Sequence, residues 1–237
     1  MKGILFYWIK NKLRFGLISI IKSIVKSVVK RTTLPCSSNN MNNQFDLLID
    51  SYLDNNIGID ASFLNENLSN GLQQNILQLQ RDEMMTDAGI GNEVVKDSNQ
   101  KMRGDKIYWM DKSHDNVYEK EFLQLAEDFI DRLNSTCYTG INGYEFHYAV
   151  YEEGSFYKRH KDQFKNDSNR KYSLINYLNN NWQEEDGGQL LVYQNENVQK
   201  ILPQSQTAVF FKSAEMEHEV TKANRRRMSI SGWLKRI

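Results

Sequence analysis

Tyr157-Lys-Arg-His-Lys-Asp162 carries a histidine and a carboxylate two positions apart at the end of a β-forming segment. Residues i and i+2 of a strand point to the same side, so His160 and Asp162 can reach one ion while Lys161 faces away. A third ligand, His218, has to arrive from a different strand. Two histidines and one carboxylate cover one triangular face of an octahedron and leave the other positions open, the donor set that suits a non-haem iron(II) site. An H-x-D alone arises often by chance, and a lone histidine is usually a surface or satisfied imidazole. The weight of this one comes from its surroundings.

Between Asp162 and His218 lie Tyr172-Ser-Leu-Ile-Asn-Tyr-Leu-Asn179 and Gly187-Gly-Gln-Leu-Leu-Val-Tyr193, both rich in β-formers and bounded by turn residues. They read as consecutive strands joined by the loop from Asn180 to Asp186. After His218, Arg225-Arg-Arg-Met-Ser-Ile-Ser-Gly-Trp233 alternates. Arg227, Ser229, Ser231 and Trp233 fall on one face and Met228, Ile230 and Leu234 on the other. A strand whose inward face is polar suggests an occupied cavity.

These motifs, taken in order with Arg103-Gly-Asp-Lys-Ile-Tyr-Trp109 and Tyr177-Leu-Asn-Asn-Asn-Trp182, resemble the iron(II)- and 2-oxoglutarate-dependent dioxygenases. Within them the likeness is to the hypoxia-inducible-factor-type prolyl hydroxylases and their bacterial relatives, over about Ile59 to Trp233. The resemblance implies a mainly β protein with flanking helices: a double-stranded β-helix (jelly-roll) core with N-terminal α-helices packed on its major sheet. It implies that His160, Asp162 and His218 bind iron and that Arg227 holds the distal carboxylate of 2-oxoglutarate. A guanidinium suits that role, since it forms two parallel charge-assisted hydrogen bonds and stays charged when buried. Tyr177 matches a tyrosine that donates to the same carboxylate. Tyr151 and Tyr157 match pocket-lining tyrosines, and Ser229 shares the face of Arg227.

By the same resemblance, Arg103, Asp105, Trp109 and Arg170 shape a substrate lid in which a loop closes over the peptide and Asp105 pairs with Arg170. The bland reading of that pair is two unrelated surface charges, worth little if exposed. Trp182 and Trp233 read as core or cavity wall, and Arg225 and Arg226 as solvated or acid-paired surface groups. The implied reaction consumes 2-oxoglutarate and dioxygen, with ascorbate as a reductant. It hydroxylates a prolyl residue in a protein or peptide and releases succinate and carbon dioxide. Two other readings stay open: the same chemistry on another side chain or a small molecule, and a non-catalytic protein that senses 2-oxoglutarate or oxygen.

Composition sets limits. Thirty basic and thirty acidic residues among 237 give no net field, so nucleic acid is not expected as the main partner. Cys36 and Cys137 are too few and too far apart for a disulfide framework or a zinc site, consistent with a reducing cytoplasm. From Met1 to Asn40 there are eight Lys or Arg and no acid. Lys22, Lys26 and Lys30 recur at helical spacing among Ile20, Ile21, Ile24, Val25, Val28 and Val29, a basic amphipathic pattern able to lie on an anionic membrane. Peripheral membrane contact through residues 1–31 and an over-extended reading of the gene, with Met41 the true start, rank equally. The expected division is therefore 1–40, then a hydroxylase-like domain over 41–237. Ser37 to Gln44 reads as a polar linker.

Helices are expected over Phe45–Leu53 and Phe63–Leu79, the second weakened by Gly71, and over Val117–Leu133. In the last, Phe122, Leu125, Ala126, Phe129, Ile130 and Leu133 form the buried stripe, while Glu119, Glu121 and Asp128 take the wet side. The stripe is expected to pack on the outside of the larger sheet.

Overall fold

A computed structural model describes residues 39–89, 102–163, 168–194 and 197–237. The amphipathic pattern of residues 1–31 lies outside them. The elements run α1 (Asn39–Asn55), β1 (Gly58–Asp60), α2 (Glu66–Arg81), β2 (Thr86–Asp87), β3 (Asp105–Trp109) and α3 (Val117–Cys137). There follow β4 (Gly143–Tyr151), β5 (Tyr157–His160), β6 (Arg170–Tyr177), β7 (Leu190–Gln194), β8 (Asn197–Ile201), β9 (Ala208–Lys212), β10 (Glu217–Val220) and β11 (Arg227–Lys235).

Seven strands form one sheet in the order β1-β9-β6-β11-β4-β3-β2, and four form a second in the order β5-β10-β7-β8. The two are the walls of the jelly roll. Each sheet draws its strands from distant parts of the chain, so β6 and β7, consecutive in sequence, stand in opposite walls. Period-two alternation builds two apolar layers. Leu174, Phe210, Met228, Ile230 and Leu234 face the helices, whereas Ala149, Tyr151, Ile175, Tyr177, Val209 and Phe211 face Leu190, Val192 and Val220 of the smaller sheet. The expected split of the β11 residues is therefore observed. Among the described residues no helix is long and apolar enough to cross a membrane.

The helices lie on the larger sheet as expected: Phe122 meets Phe146 edge-on at 5.2 Å between ring centroids, and Phe129 meets Phe210 at 5.3 Å. Their ends depart from the sequence expectation for local reasons. The helix α1 begins at Asn39, so part of the expected polar linker is helical. Asn65 caps α2 by accepting from the Leu68 amide at 2.8 Å, which moves its start to Glu66. Beyond the last apolar residue of its stripe α3 continues one turn to Cys137 and stops where Tyr138 turns left-handed.

Glu119, assigned to the wet side, is instead 1% exposed. Its carboxylate accepts from the Asp111 amide at 3.1 Å and lies 2.7 Å from His114 Nδ1. Periodicity alone could not show that the loop before α3 folds back over its first turn.

Gly71 has a packing reason. A Cβ built there would lie 2.3 Å from the ring of Tyr118 on α3. Gly71→Ala should therefore lower stability by about 1–2 kcal/mol in urea unfolding, because overpacking outweighs alanine's helix propensity gain. An unchanged or raised midpoint would show that Tyr118 moves aside freely.

Candidate functional site

The site lies between the two sheets. His160 ends β5, Asp162 follows in a bend, and His218 stands directly opposite His160 in the antiparallel pairing of β10 with β5. That register brings candidate ligands from separate parts of the chain to one point. His160 Nε2 is 3.4 Å and His218 Nε2 is 3.7 Å from Asp162 Oδ1. One ligand atom from each of the three lies within 4.8 Å of the others, the only such His/Cys/Asp/Glu group of three or more among the described residues.

The outer contacts orient each donor toward the shared point. His160 Nδ1 lies 2.7 Å from the Lys158 carbonyl and His218 Nδ1 3.3 Å from the Met216 carbonyl. A proton on each Nδ1 satisfies those carbonyls and leaves the Nε2 lone pairs free for a metal. Ser173 donates its hydroxyl to Asp162 Oδ2 at 2.6 Å, leaving Oδ1 as the free oxygen. Burial alone would push the Asp162 carboxyl up, but His218, His160 and the Ser173 hydroxyl together hold it far below its ordinary range. His218 is shifted down, chiefly by burial, and stays neutral at pH 7. Three anion-or-neutral donors with their other atoms already bonded fit a divalent cation.

Across the cavity, Arg227 is 2% exposed. Its Nε donates to the Gly188 carbonyl at 2.8 Å and its Nη1 to Ser229 Oγ at 3.3 Å. Among the described residues no carboxylate pairs with it. A buried cation without a counter-charge is costly, so the geometry fits an anionic ligand. The Tyr177 hydroxyl nearby is buried beside the Arg227 guanidinium and, among the described residues, finds no acceptor for its proton. Burial pushes its pKa up to about 12, against the opposing pull of Arg227, so it keeps its proton to donate. The Arg227 guanidinium carbon lies 4.9 Å and 5.0 Å from the Tyr151 and Tyr177 ring centroids. These residues fit one carboxylate of a keto diacid. Gly188 is needed there: its φ is +61° and an added Cβ would come within 3.0 Å of the arginine side chain.

The cavity wall gathers Arg103, His147, Tyr151, Tyr157, His160, Asp162, His218, Arg227, Ser231 and Trp233. Trp182 is core, its indole donating to the Gly187 carbonyl at 2.9 Å. Arg225 pairs with Asp186 and Arg226 with Glu152, as acid-paired surface groups.

The lid charges are arranged differently from the expected pair. Asp105 bonds Arg103 at both oxygens, at 2.7 and 2.5 Å. Arg170 pairs with Glu145 at 2.8 Å and lies 3.4 Å over the Trp233 ring. The motif is not an open loop either, since Asp105–Trp109 is β3, paired with β4. Strand pairing points the Asp105 side chain inward beside Arg103. Trp109 is 46% exposed and packs 4.9 Å from His147.

Two residues escaped sequence reasoning. Ser173 orients Asp162, and its only sequence signal was sharing a strand face with Tyr177. His147, 3% exposed, lies between Trp109 and Trp233. It shares a face of β4 with Tyr151, and that alternation could have revealed it. Burial lowers its pKa to about 4, so the ring is neutral at pH 7.

Comparison with known proteins agrees with this geometry. Residues 146–235 match the 2OG-Fe(II) oxygenase superfamily. A Pseudomonas putida prolyl-4-hydroxylase is 28% identical over 81% of this chain and 99% of that chain, with a TM-score of 0.74. A Trichoplax adhaerens prolyl hydroxylase, solved with a hypoxia inducible factor oxygen degradation domain peptide fragment, is 27% identical over 86% and 94%, with a TM-score of 0.76. A structure of prolyl 4-hydroxylases from Phytophthora capsici shares the fold at 16% identity and a TM-score of 0.68, over 86% and 67%. The superfamily match over residues 146–235, the His-Asp-His cluster and the shared jelly roll agree on a 2OG-Fe(II) oxygenase domain that uses iron(II) and 2-oxoglutarate.

Proposed function

We propose that this chain hydroxylates a prolyl residue in a protein or peptide. The observation that carries the reading is one cavity holding both the three-ligand cluster and a buried, acid-free Arg227 beside the buried Tyr177 hydroxyl. Its similarity to solved prolyl hydroxylases supports the choice of substrate.

His160, Asp162 and His218 would hold iron(II), and Arg227, Tyr177 and Ser229 the distal carboxylate of 2-oxoglutarate. When bound, the metal and keto acid supply the oxidising chemistry, with succinate and carbon dioxide released. The chain contributes the rest. Ile175, Leu190 and Val220 line the cavity between the sheets and limit water at the reacting centre. Tyr151 and Tyr157 remain protonated, since burial raises both, Tyr157 to about 12, so neither adds a negative charge beside the metal. Trp109 and Trp233, with Arg170 stacked on the latter, offer an aromatic wall to the peptide. Ascorbate as reductant and a cytoplasmic setting belong to the same reading. So does a separate basic segment, residues 1–40, able to meet an anionic membrane.

The test is succinate formation by anaerobically iron-loaded protein given 2-oxoglutarate and oxygen, with and without proline-containing peptides. Expected are peptide-stimulated turnover and a gain of about one oxygen atom on proline, both lost in His160→Ala. Turnover stimulated only by peptides lacking proline, or by a small molecule, would replace the substrate but keep the oxygenase. Binding of iron and 2-oxoglutarate without turnover on any compound would point to the sensing role.

A further inference from the structure

Beside the triad stands a column of side chains, of which the proposed function leaves Asp105 and Arg103 unused. The Asp105 side chain is fully buried and grips the Arg103 guanidinium at both oxygens. The guanidinium carbon lies 4.4 Å from the centroid of the Tyr157 ring. That ring in turn lies flat on the His160 imidazole, with centroids 3.6 Å apart and planes 16° from parallel. The order is carboxylate, guanidinium, phenol, metal-ligand imidazole.

The backbone follows the same path. Arg103 bridges Tyr157 in antiparallel fashion, Gly104 donates to the Phe156 carbonyl at 3.0 Å, and Lys158 donates to the Met102 carbonyl at 2.8 Å. β5 is an outer strand of its sheet, with β10 on its other side. The segment from Met102 to Gly104 therefore covers the free edge of the strand that delivers His160.

We propose that Arg103 is a positioning residue for the metal centre: held by Asp105 and laid over Tyr157, it fixes the plane of the His160 ring. Three physical effects work together. A desolvated guanidinium is attracted to the face of an aromatic ring, so Tyr157 is pinned between Arg103 and the imidazole. A ligand whose ring is already set loses less freedom when it takes the metal, the usual effect of such outer contacts. Asp105 cancels the arginine charge, which would otherwise repel a cation at the triad. The inference rests on the proposed iron centre and not on the prolyl substrate.

The experiment measures iron(II) affinity by anaerobic competition with a chromogenic chelator, and the charge-transfer absorption of the iron(II)–2-oxoglutarate complex, without peptide. Arg103→Gln alone would strand Asp105 as a buried charge, so it is combined with Asp105→Asn. That pair should weaken iron binding about tenfold and shift the absorption band. Tyr157→Leu should do the same, while Tyr157→Phe, which keeps the ring, should stay within about twofold. Joining Tyr157→Leu to the Arg103/Asp105 pair should add nothing further, because the effect passes through the ring. Unchanged affinity and absorption in the Arg103/Asp105 pair, or fully additive losses, would overturn the proposal. Failure of the wild-type protein to bind iron would overturn the metal centre itself, a distinct result.

Discussion

Asp162→Ala is expected to release iron and to lower kcat/KM by more than about a thousandfold, a loss of roughly 4 kcal/mol or more in transition-state stabilisation. Asp162 is the single anionic donor of the cluster, and the Ser173 hydroxyl holds its free oxygen toward the Nε2 atoms of His160 and His218. Two neutral imidazoles would then face a divalent cation with no charge to balance it. The pH behaviour should have a definite sign. Asp162 stays ionised well below neutrality and burial holds His218 neutral, so iron binding should persist as pH falls until His218 takes a proton in place of metal. Metal content after gel filtration, measured beside succinate formation, is the check. An alanine variant that retained both would remove Asp162 from the ligand set.

Replacing Arg227 with methionine is expected to raise KM for 2-oxoglutarate at least about a hundredfold, while leaving the metal-free protein within about 1 kcal/mol of wild-type stability. The two halves have one cause. Without its ligand, Arg227 is a buried cation bonded to the Gly188 carbonyl and Ser229 hydroxyl with no acid beside it among the described residues, so an apolar side chain of similar length relieves as much desolvation as it loses in hydrogen bonds. With the ligand, the guanidinium supplies two charge-assisted bonds that methionine cannot. Arg227→Lys should fall between, since it keeps the charge but not the fork. Thermal melts with and without 2-oxoglutarate separate the effects. A hundredfold excess over Kd should stabilise the wild type by about 2.7 kcal/mol and leave the methionine variant unmoved. Equal stabilisation of both would place the carboxylate elsewhere.

Where the chain's own pattern was local, it could be read directly. The alternation of Arg227, Ser229, Ser231 and Trp233 against Met228, Ile230 and Leu234 survives intact, because a strand between two layers has only two faces. The stripe of α3 likewise packs where its period puts it. Glu119 was misplaced because its surroundings come from the loop before the helix, and the end of α3 because a left-handed Tyr138, not the last apolar residue, stops it. The gathering of His160, Asp162 and His218 was legible since the first two are neighbours in sequence, and a third histidine had few alternatives among four.

Charge pairing was not legible. The expected partner of Asp105 is Arg170, whereas Asp105 takes Arg103, two positions back along the same extended segment, and Arg170 meets Glu145 and Trp233. Opposite charges attract whichever partner is near, and Arg170 comes near Glu145 only across β11, where nearness depends on register. The same holds for Ser173 and His147, ordinary strand residues until β6 and β4 are folded against the metal cluster. By itself, then, the sequence determined which residue types are present for metal and carboxylate binding and which faces of its strands and helices are apolar. The tertiary structure alone decided who meets whom: His218 opposite His160, Ser173 on Asp162, Tyr157 between Arg103 and His160. His218 on His160, Ser173 on Asp162 and Arg103 on Tyr157 are contacts between separate segments, whose partners are set by how those segments are laid together and not by spacing along the chain.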